Sequence, residues 1–115
     1  MSGVISDHPL IGTWRIVEAD LWDRDYLDLV EPATITLGKD GRGSFVFGAC
    51  HGDMDLEYSP SIIFFPWAGF DEIDEVSGSG SAELNDEGEL EIELSRHLGD
   101  DAVLKARPMS SSTAC

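Results

Sequence analysis

Alternation of apolar and polar side chains with a period of two restricts the fold of this chain more than any other feature. It recurs from Ala33 to Ala106 and is clearest in Leu90 to Leu94, where aliphatic residues alternate with glutamates. This pattern predicts strands with one buried face and one solvent-exposed face. Turn-forming sequences such as Asp40-Gly41 and 85–88 interrupt it about every 8–12 residues. We therefore predict a mainly β domain.

The order of these strands predicts an antiparallel up-and-down barrel of about eight strands. Tight turns leave no long crossing connection, and closure removes the exposed edges of an open sheet. The Gly/Ser-rich segment Ser77 to Ala82 predicts a strand that bends sharply or lets another backbone approach closely. The predicted organisation is an N-terminal arm at 1–9, a single barrel domain at 10–107 and a disordered tail at 108–115.

One short helix is predicted directly after the first strand, which runs from about Ile11 to Ala19. Trp22, Tyr26 and Leu29 recur at spacings of four and three, which is the spacing of one helix face. Pro32 ends the pattern, because the residue before a proline disfavours helical geometry. We therefore expect the helix within residues 21–30.

The first strand also carries Gly12-Thr13-Trp14, close behind an N-terminal arm and followed by a helix. This order resembles the start of a calycin barrel, the superfamily of lipocalins, fatty-acid-binding proteins and avidins. The resemblance implies that Trp14 closes one barrel end under a basic residue of the last strand, here Arg107, with Lys105 and Arg96 as substitutes. The overall pattern is also similar to small uncharacterised bacterial proteins. Neither resemblance implies a particular ligand.

The charge of the chain restricts its partners. Twenty-three acidic residues against seven basic ones give a net charge of −16. Phosphate backbones and anionic membranes repel such a surface, so we expect no direct binding to nucleic acid or membrane. Three interpretations stay open: solubility or adaptation to a salty cytoplasm, attraction to a basic partner, and mimicry of nucleic acid.

The expected location is the cytoplasm. The longest apolar run, Ile62 to Phe70, contains Pro66 and is shorter than the roughly 20 residues of a membrane helix. The segment Met1 to Pro9 lacks the basic and apolar regions of a secretory signal. Cys50 and Cys115 are therefore expected to be unpaired thiols in a reducing compartment.

The predicted barrel interior supplies the candidate ligand-binding residues. If Trp14 points inward, the two-residue period also turns Glu18 inward, and the same logic applies to Tyr58 and Arg96. Polar groups that converge on an apolar pocket are typical of a small-molecule site. An alternative places Glu18 and Arg96 at the rim in water, or paired with each other. The candidate set is Trp14, Glu18, Trp22, Tyr58, Trp67 and Arg96.

Two acidic clusters are candidates for cation binding, and neither predicts a dedicated metal site. His51, Asp53 and Asp55 share one strand face, which a solvated acidic face explains better. Asp71 to Glu75 lacks the glycine and the ligand spacing of an EF-hand loop. We expect neither a metal nor a cofactor.

The aromatic residues around Pro66 have two interpretations. They either belong to the core or form an exposed patch suited to dimerisation or to another partner, and Phe65 and Trp67 are the residues in question.

Three functional hypotheses remain once motif-based enzyme classes are excluded. The chain has no phosphate-binding loop, no Cys-x-x-Cys pair and no Gly-x-Ser-x-Gly elbow. The barrel either binds a small apolar or aromatic ligand, or serves as a protein-interaction module, or acts as a cyclase or isomerase in its interior. In the last case Glu18 and Tyr58 are the residues to mutate first; otherwise no catalytic residue is assigned.

Overall fold

Nine β-strands form one continuous antiparallel sheet in the part of the chain that the structure describes. The structure is a computed structural model and describes residues 10–20, 24–28, 32–97, 99 and 101–109. The strands are β1 (Gly12–Ala19), β2 (Thr34–Leu37), β3 (Arg42–Phe47), β4 (Cys50–Asp55), β5 (Glu57–Tyr58), β6 (Ile62–Asp71), β7 (Asp74–Leu84), β8 (Leu90–Arg96) and β9 (Asp101–Pro108).

Two pairings close the sheet into a barrel. Each strand except β4 pairs with the next along the chain, β9 returns to pair with β1, and β4 pairs with β6. The short strand β5 continues the path of β4 beyond Leu56 and also pairs with β6. The barrel therefore has eight strands around its circumference. The predicted fold class, a closed up-and-down antiparallel barrel, is confirmed.

The interior of the barrel is occupied by apolar side chains of the chain itself. Among the described residues, no polar or charged residue is buried, whereas Phe47, Phe65 and ten other large apolar side chains have exposures below 2%. Phe45 stacks on Phe47 with ring centroids 5.6 Å apart. Phe45 also meets Trp67 edge-on at 5.3 Å. Each such side chain contributes about 1.5–3 kcal/mol by leaving water.

Glycines on the inward face make room for these rings. A Cβ atom on Gly80 would lie 2.8 Å from the ring of Phe65, and one on Gly52 would lie 2.7 Å from the ring of Phe45. At Gly78 the close neighbour is backbone, since a Cβ atom there would lie 1.8 Å from the carbonyl oxygen of Ser95. The Gly/Ser-rich segment is thus a strand, β7, that allows rings and backbone to approach closely.

One end of the barrel is covered by a single helical turn, α1 (Arg24–Leu27). Leu27 is buried and its carbonyl accepts a hydrogen bond from the Gly48 amide at 2.7 Å, in the turn between β3 and β4. The Tyr26 ring lies over Gly48, where a Cβ atom would come within 2.2 Å of it. The rest of the helix predicted at 21–30, apart from Asp28 in the following turn, lies outside the described residues.

The segments flanking the barrel are described only in part. Residues 1–9 and 110–115, which include the predicted arm and most of the predicted tail, lie outside the described residues. Among the residues that are described, no helix has the length and apolar character needed to cross a membrane.

The close approach at Gly78 gives a test of the fold. We expect Gly78→Ala to lower the free energy of unfolding by about 1–3 kcal/mol, because the new methyl group would overlap a backbone oxygen that cannot move without shifting β8. Ser77→Ala, at an exposed neighbouring position of β7, should change stability by less than about 0.5 kcal/mol. Urea denaturation measures both. Equal midpoints for the two variants would contradict the packing described for β7 and β8.

Candidate functional site

Glu18 lies on the outside of the barrel, so the prediction that it faces the interior is wrong. Ile16 pairs with Ala106 and Glu18 with the adjacent Lys105, so two steps along β1 match one step along β9. Val17 is thus the extra residue of a β-bulge. The bulge reverses the side-chain alternation beyond Ile16 and turns Glu18 into solvent, where its side chain is exposed.

Tyr58 is half-buried at the barrel end where the hairpin between β2 and β3 turns. Its hydroxyl group donates a hydrogen bond to the Gly38 carbonyl and accepts one from the Gly41 amide at 3.0 Å. A phenol has one O–H group to donate, and the Gly38 carbonyl accepts that hydrogen bond. Tyr58 therefore holds the hairpin in place.

Arg96 forms an ion pair at the opposite barrel end, next to α1. Its Nη2 atom lies 2.5 Å from Oδ2 of Asp71, and both side chains are about one-third exposed, at 35% and 31%. The hydrogen bond to Asp71 raises the pKa of the Arg96 guanidinium above its ordinary value. The sequence left open whether Arg96 lies in water at the rim or pairs with Glu18. In the structure Arg96 forms an ion pair, but its partner is Asp71 and not Glu18.

Cys50 lies beside this ion pair, opposite Asp71 in the register of β4 and β6. It is a free, buried cysteine. Burial is the main cause that raises the pKa of its thiol to about 11; the negative charge of Asp71 adds to the shift and Arg96 opposes it. The thiol is therefore protonated at neutral pH and lacks the thiolate character of a nucleophile.

The three tryptophans of the sequence have different positions. Trp14 is buried and its Nε1 donates to the Leu10 carbonyl at 3.0 Å. Trp67 is also buried, and its Nε1 lies 3.3 Å from the Ser79 carbonyl and 3.2 Å from the Ser95 carbonyl. Trp22 lies outside the described residues. The interpretation of Trp67 and Phe65 as core residues is confirmed.

The basic residue that the calycin resemblance places over Trp14 is absent from that position. In the pairing of β1 with β9, Trp14 lies opposite Pro108, while Arg107 lies opposite Arg15. The Arg107 side chain is exposed and its Nε lies 3.1 Å from Oε2 of Glu89, which lowers the pKa of that carboxyl group. Leu10, whose carbonyl accepts the indole hydrogen bond, lies close to Trp14 instead.

The predicted interior site is therefore not assembled among the described residues. Glu18 faces water. Tyr58 and Arg96 lie at opposite ends of the barrel, since Tyr58 pairs with Ile63 near the start of β6 and Arg96 binds Asp71 at its end. Binding of a small apolar or aromatic ligand in the interior stays a prediction.

The outer surface carries the uncompensated charge. Among the described side chains, four ion pairs form, and they occupy Arg15, Arg42, Arg96 and Arg107. Since the chain has 23 acidic and only seven basic residues, most carboxylates have no basic residue of the chain to pair with. His51, Asp53 and Asp55 are all exposed on β4. No group of three potential metal ligands was found within the described part of the chain.

Several exposed apolar side chains interrupt this acidic surface, and three of them lie on β6 or in the turn that follows it. Phe64 and Phe70 on the outer face of β6 are 48% and 42% exposed, and Ile73 in the turn that follows is 92% exposed. Sequence alternation alone did not separate Phe64 and Phe70 from Phe65 and Trp67, because residues 62–65 are apolar on both faces of the strand. Phe64 lies two residues and Phe70 four residues from Pro66, so the two-residue period of a strand places all three on one face and Phe65 and Trp67 on the other.

Comparison with known proteins finds no matching family model, no matching curated protein and no matching solved structure.

The ion pair of Arg96 with Asp71 gives a test with an internal control. We expect Asp71→Asn to lower the free energy of unfolding by about 1 kcal/mol, because a part-buried guanidinium loses a charged hydrogen-bond partner. Asp55→Asn removes a carboxylate that is 80% exposed and 4.0 Å from Arg42, and should cost less than about 0.5 kcal/mol. Chemical denaturation of both variants measures the difference, and equal losses would contradict a structural role for the Arg96 pair.

Proposed function

We propose that this barrel is a protein-interaction module whose acidic outer surface binds a protein with a basic surface. The observation that carries the proposal is that apolar side chains fill the inside of the barrel while the charged side chains lie on its outside. The described interior holds only apolar side chains packed on one another, and no polar or charged side chain is buried there. The groups with which a partner can form hydrogen bonds or ion pairs therefore lie on the outside of the barrel.

The sign of the charge specifies the chemistry of the partner. A net charge of −16 on a 115-residue chain produces a strong negative potential, which attracts basic proteins and repels phosphates. Complementary potentials mainly speed the encounter and select the partner, while affinity also needs close contacts. A DNA-binding protein is one class of basic partner, and in that case the barrel would compete with DNA for the same surface.

Two other functions receive less support from the geometry. A small-molecule site combines apolar walls with a few converging polar groups, but the hydroxyl of Tyr58 and the guanidinium of Arg96 bind other parts of the barrel. Interior catalysis by Glu18 and Tyr58 is weakened because the Glu18 side chain is exposed. Kinship with calycins stays a proposal, which Gly12-Thr13-Trp14 and the closed barrel support. A cytoplasmic location also stays a proposal.

The test is capture of a basic partner followed by reconstitution of the pair. The immobilised full chain is exposed to extract from its own cells at low salt, and each captured protein is identified, purified and titrated against the barrel. We expect a positively charged partner whose Kd rises at least about tenfold when salt shortens the screening length from about 30 Å to about 8 Å. DNA added as a competitor tests the mimicry alternative.

A charge variant and a matched control make this test specific. Glu91→Gln with Glu93→Gln removes two exposed carboxylates from β8 and should weaken binding and reduce its salt dependence. Val103→Ser changes an exposed uncharged position of β9, which neighbours β8, and should leave both unchanged. Capture of no basic protein, or binding that is indifferent to salt, would contradict the proposed function.

A further inference from the structure

One face of β6 is uncharged in an otherwise strongly acidic protein. Ile62 begins this face and is partly exposed, and the four residues that follow it on the face, Phe64, Pro66, Ala68 and Phe70, are exposed. We call these four residues the aromatic wall. Six residue steps separate its two phenylalanines, so the wall is about 20 Å long.

The strand next to the aromatic wall extends the uncharged area. In the pairing of β6 with β7, Phe64 lies opposite Ser81, Pro66 opposite Ser79 and Ala68 opposite Ser77. These three serines carry no charge and have small side chains, so they do not cover the neighbouring rings. The result is a contiguous uncharged surface two strands wide, larger than the singly scattered apolar residues that are usual on a protein.

Carboxylates border the aromatic wall at both ends and along one side. Glu57 on β5 lies opposite Phe64, and Glu75 on β7 lies opposite Phe70. Asp53 on β4 lies opposite Ala68. An apolar centre within a charged rim is the arrangement of many protein interfaces. His51 also borders the wall, with its ring centroid 5.8 Å from that of Phe70. The three carboxylates of the border have one sign, so the complementary surface is apolar in its centre and carries Lys or Arg at its border.

We propose that the aromatic wall docks an amphipathic segment of a basic protein, and this inference rests on the proposed function. Apolar side chains of the partner pack on Phe64 and Phe70, and its Lys or Arg side chains pair with Glu57, Asp53 and Glu75. Aromatic side chains with an acidic border supply both of the requirements of such a contact, close packing and electrostatic selection.

A second copy of the chain fits the aromatic wall less well. A symmetric dimer on this face would bring the acidic rims of two molecules together, each with a net charge of −16. Like charges that face one another across an interface oppose association. The homodimer that the sequence left open is therefore an outcome for the experiment to distinguish.

The experiment uses synthetic peptides of defined chemistry as probes. Two peptides of about eight residues span the wall when extended; one alternates Lys with Leu and the other alternates Lys with Ser, so their charge is equal. Each is titrated at low salt into the isotopically labelled full chain, and NMR shift changes map the contact. We expect the Lys/Leu peptide to bind at least about tenfold more tightly, with shifts centred on β6 and β7.

Surface variants test the named residues. Phe64→Ser with Phe70→Ser should remove most of the preference for the Lys/Leu peptide, while the spectrum shows an intact fold. Val103→Ser is the matched control, because Val103 is an apolar residue that is 37% exposed on β9 and lies opposite Glu93. It should retain the preference.

The outcomes separate this inference from the proposed function. Equal binding of both peptides, with shifts spread over the acidic surface, would keep the acidic module and overturn docking at the aromatic wall. Failure of both peptides to bind would count against both proposals. Shifts at the aromatic wall that depend on protein concentration without peptide would show self-association there and also overturn the inference.

Discussion

The packing of aromatic rings onto glycines inside the barrel is the constraint on which the rest of the structure depends. The ring of Phe65 occupies the space of an absent side chain at Gly80, and the ring of Phe45 does the same at Gly52. Trp67 directs its indole N–H to carbonyl groups of β7 and β8, next to Gly78. With its interior occupied in this way, a closed eight-stranded barrel of this size has little room for anything else.

The polar residues near the barrel ends are consistent with this packing. Tyr58 ties down the hairpin between β2 and β3, and Arg96 joins the ends of β6 and β8 through Asp71. Cys50 contributes to the interior as a protonated thiol. Tyr58 and Arg96 each bind another part of the barrel and Cys50 is buried, so the chemistry that remains available for recognition belongs to the carboxylates and exposed aromatic rings of the outer surface.

Much of the fold could be predicted from the sequence, because side-chain alternation and turn residues are local signals. The strands, their up-and-down order and closure follow from these signals and from the cost of open edges. A strict two-residue count from Trp14 gives the wrong orientation for Glu18, because the β-bulge at Val17 reverses the face of the side chains that follow it in β1. The adjacent apolar residues Ile16 and Val17 are the mark that this bulge leaves in the sequence.

The candidate site was harder to predict, because it depends on contacts between distant residues. The partner of Arg96 is 25 residues away, and the hydroxyl of Tyr58 reaches a hairpin 17–20 residues earlier. The exposed aromatic wall could not be recognised from the alternation of side chains either, because both faces of residues 62–65 are apolar. Only the register of β6 with its neighbours separates the rings that fill the barrel from those that face solvent.

The most direct test of a filled interior is a titration of the labelled protein with a small apolar probe, such as dodecanoate, followed through the methyl resonances of buried residues. Ile35, Ile92 and Leu104 are suitable reporters, since each is no more than 1% exposed. A filled core predicts that these resonances do not move as the probe is added below its micelle concentration. Saturable shifts of all three would show that the barrel opens to a ligand, and would contradict the assignment of function to its outer surface.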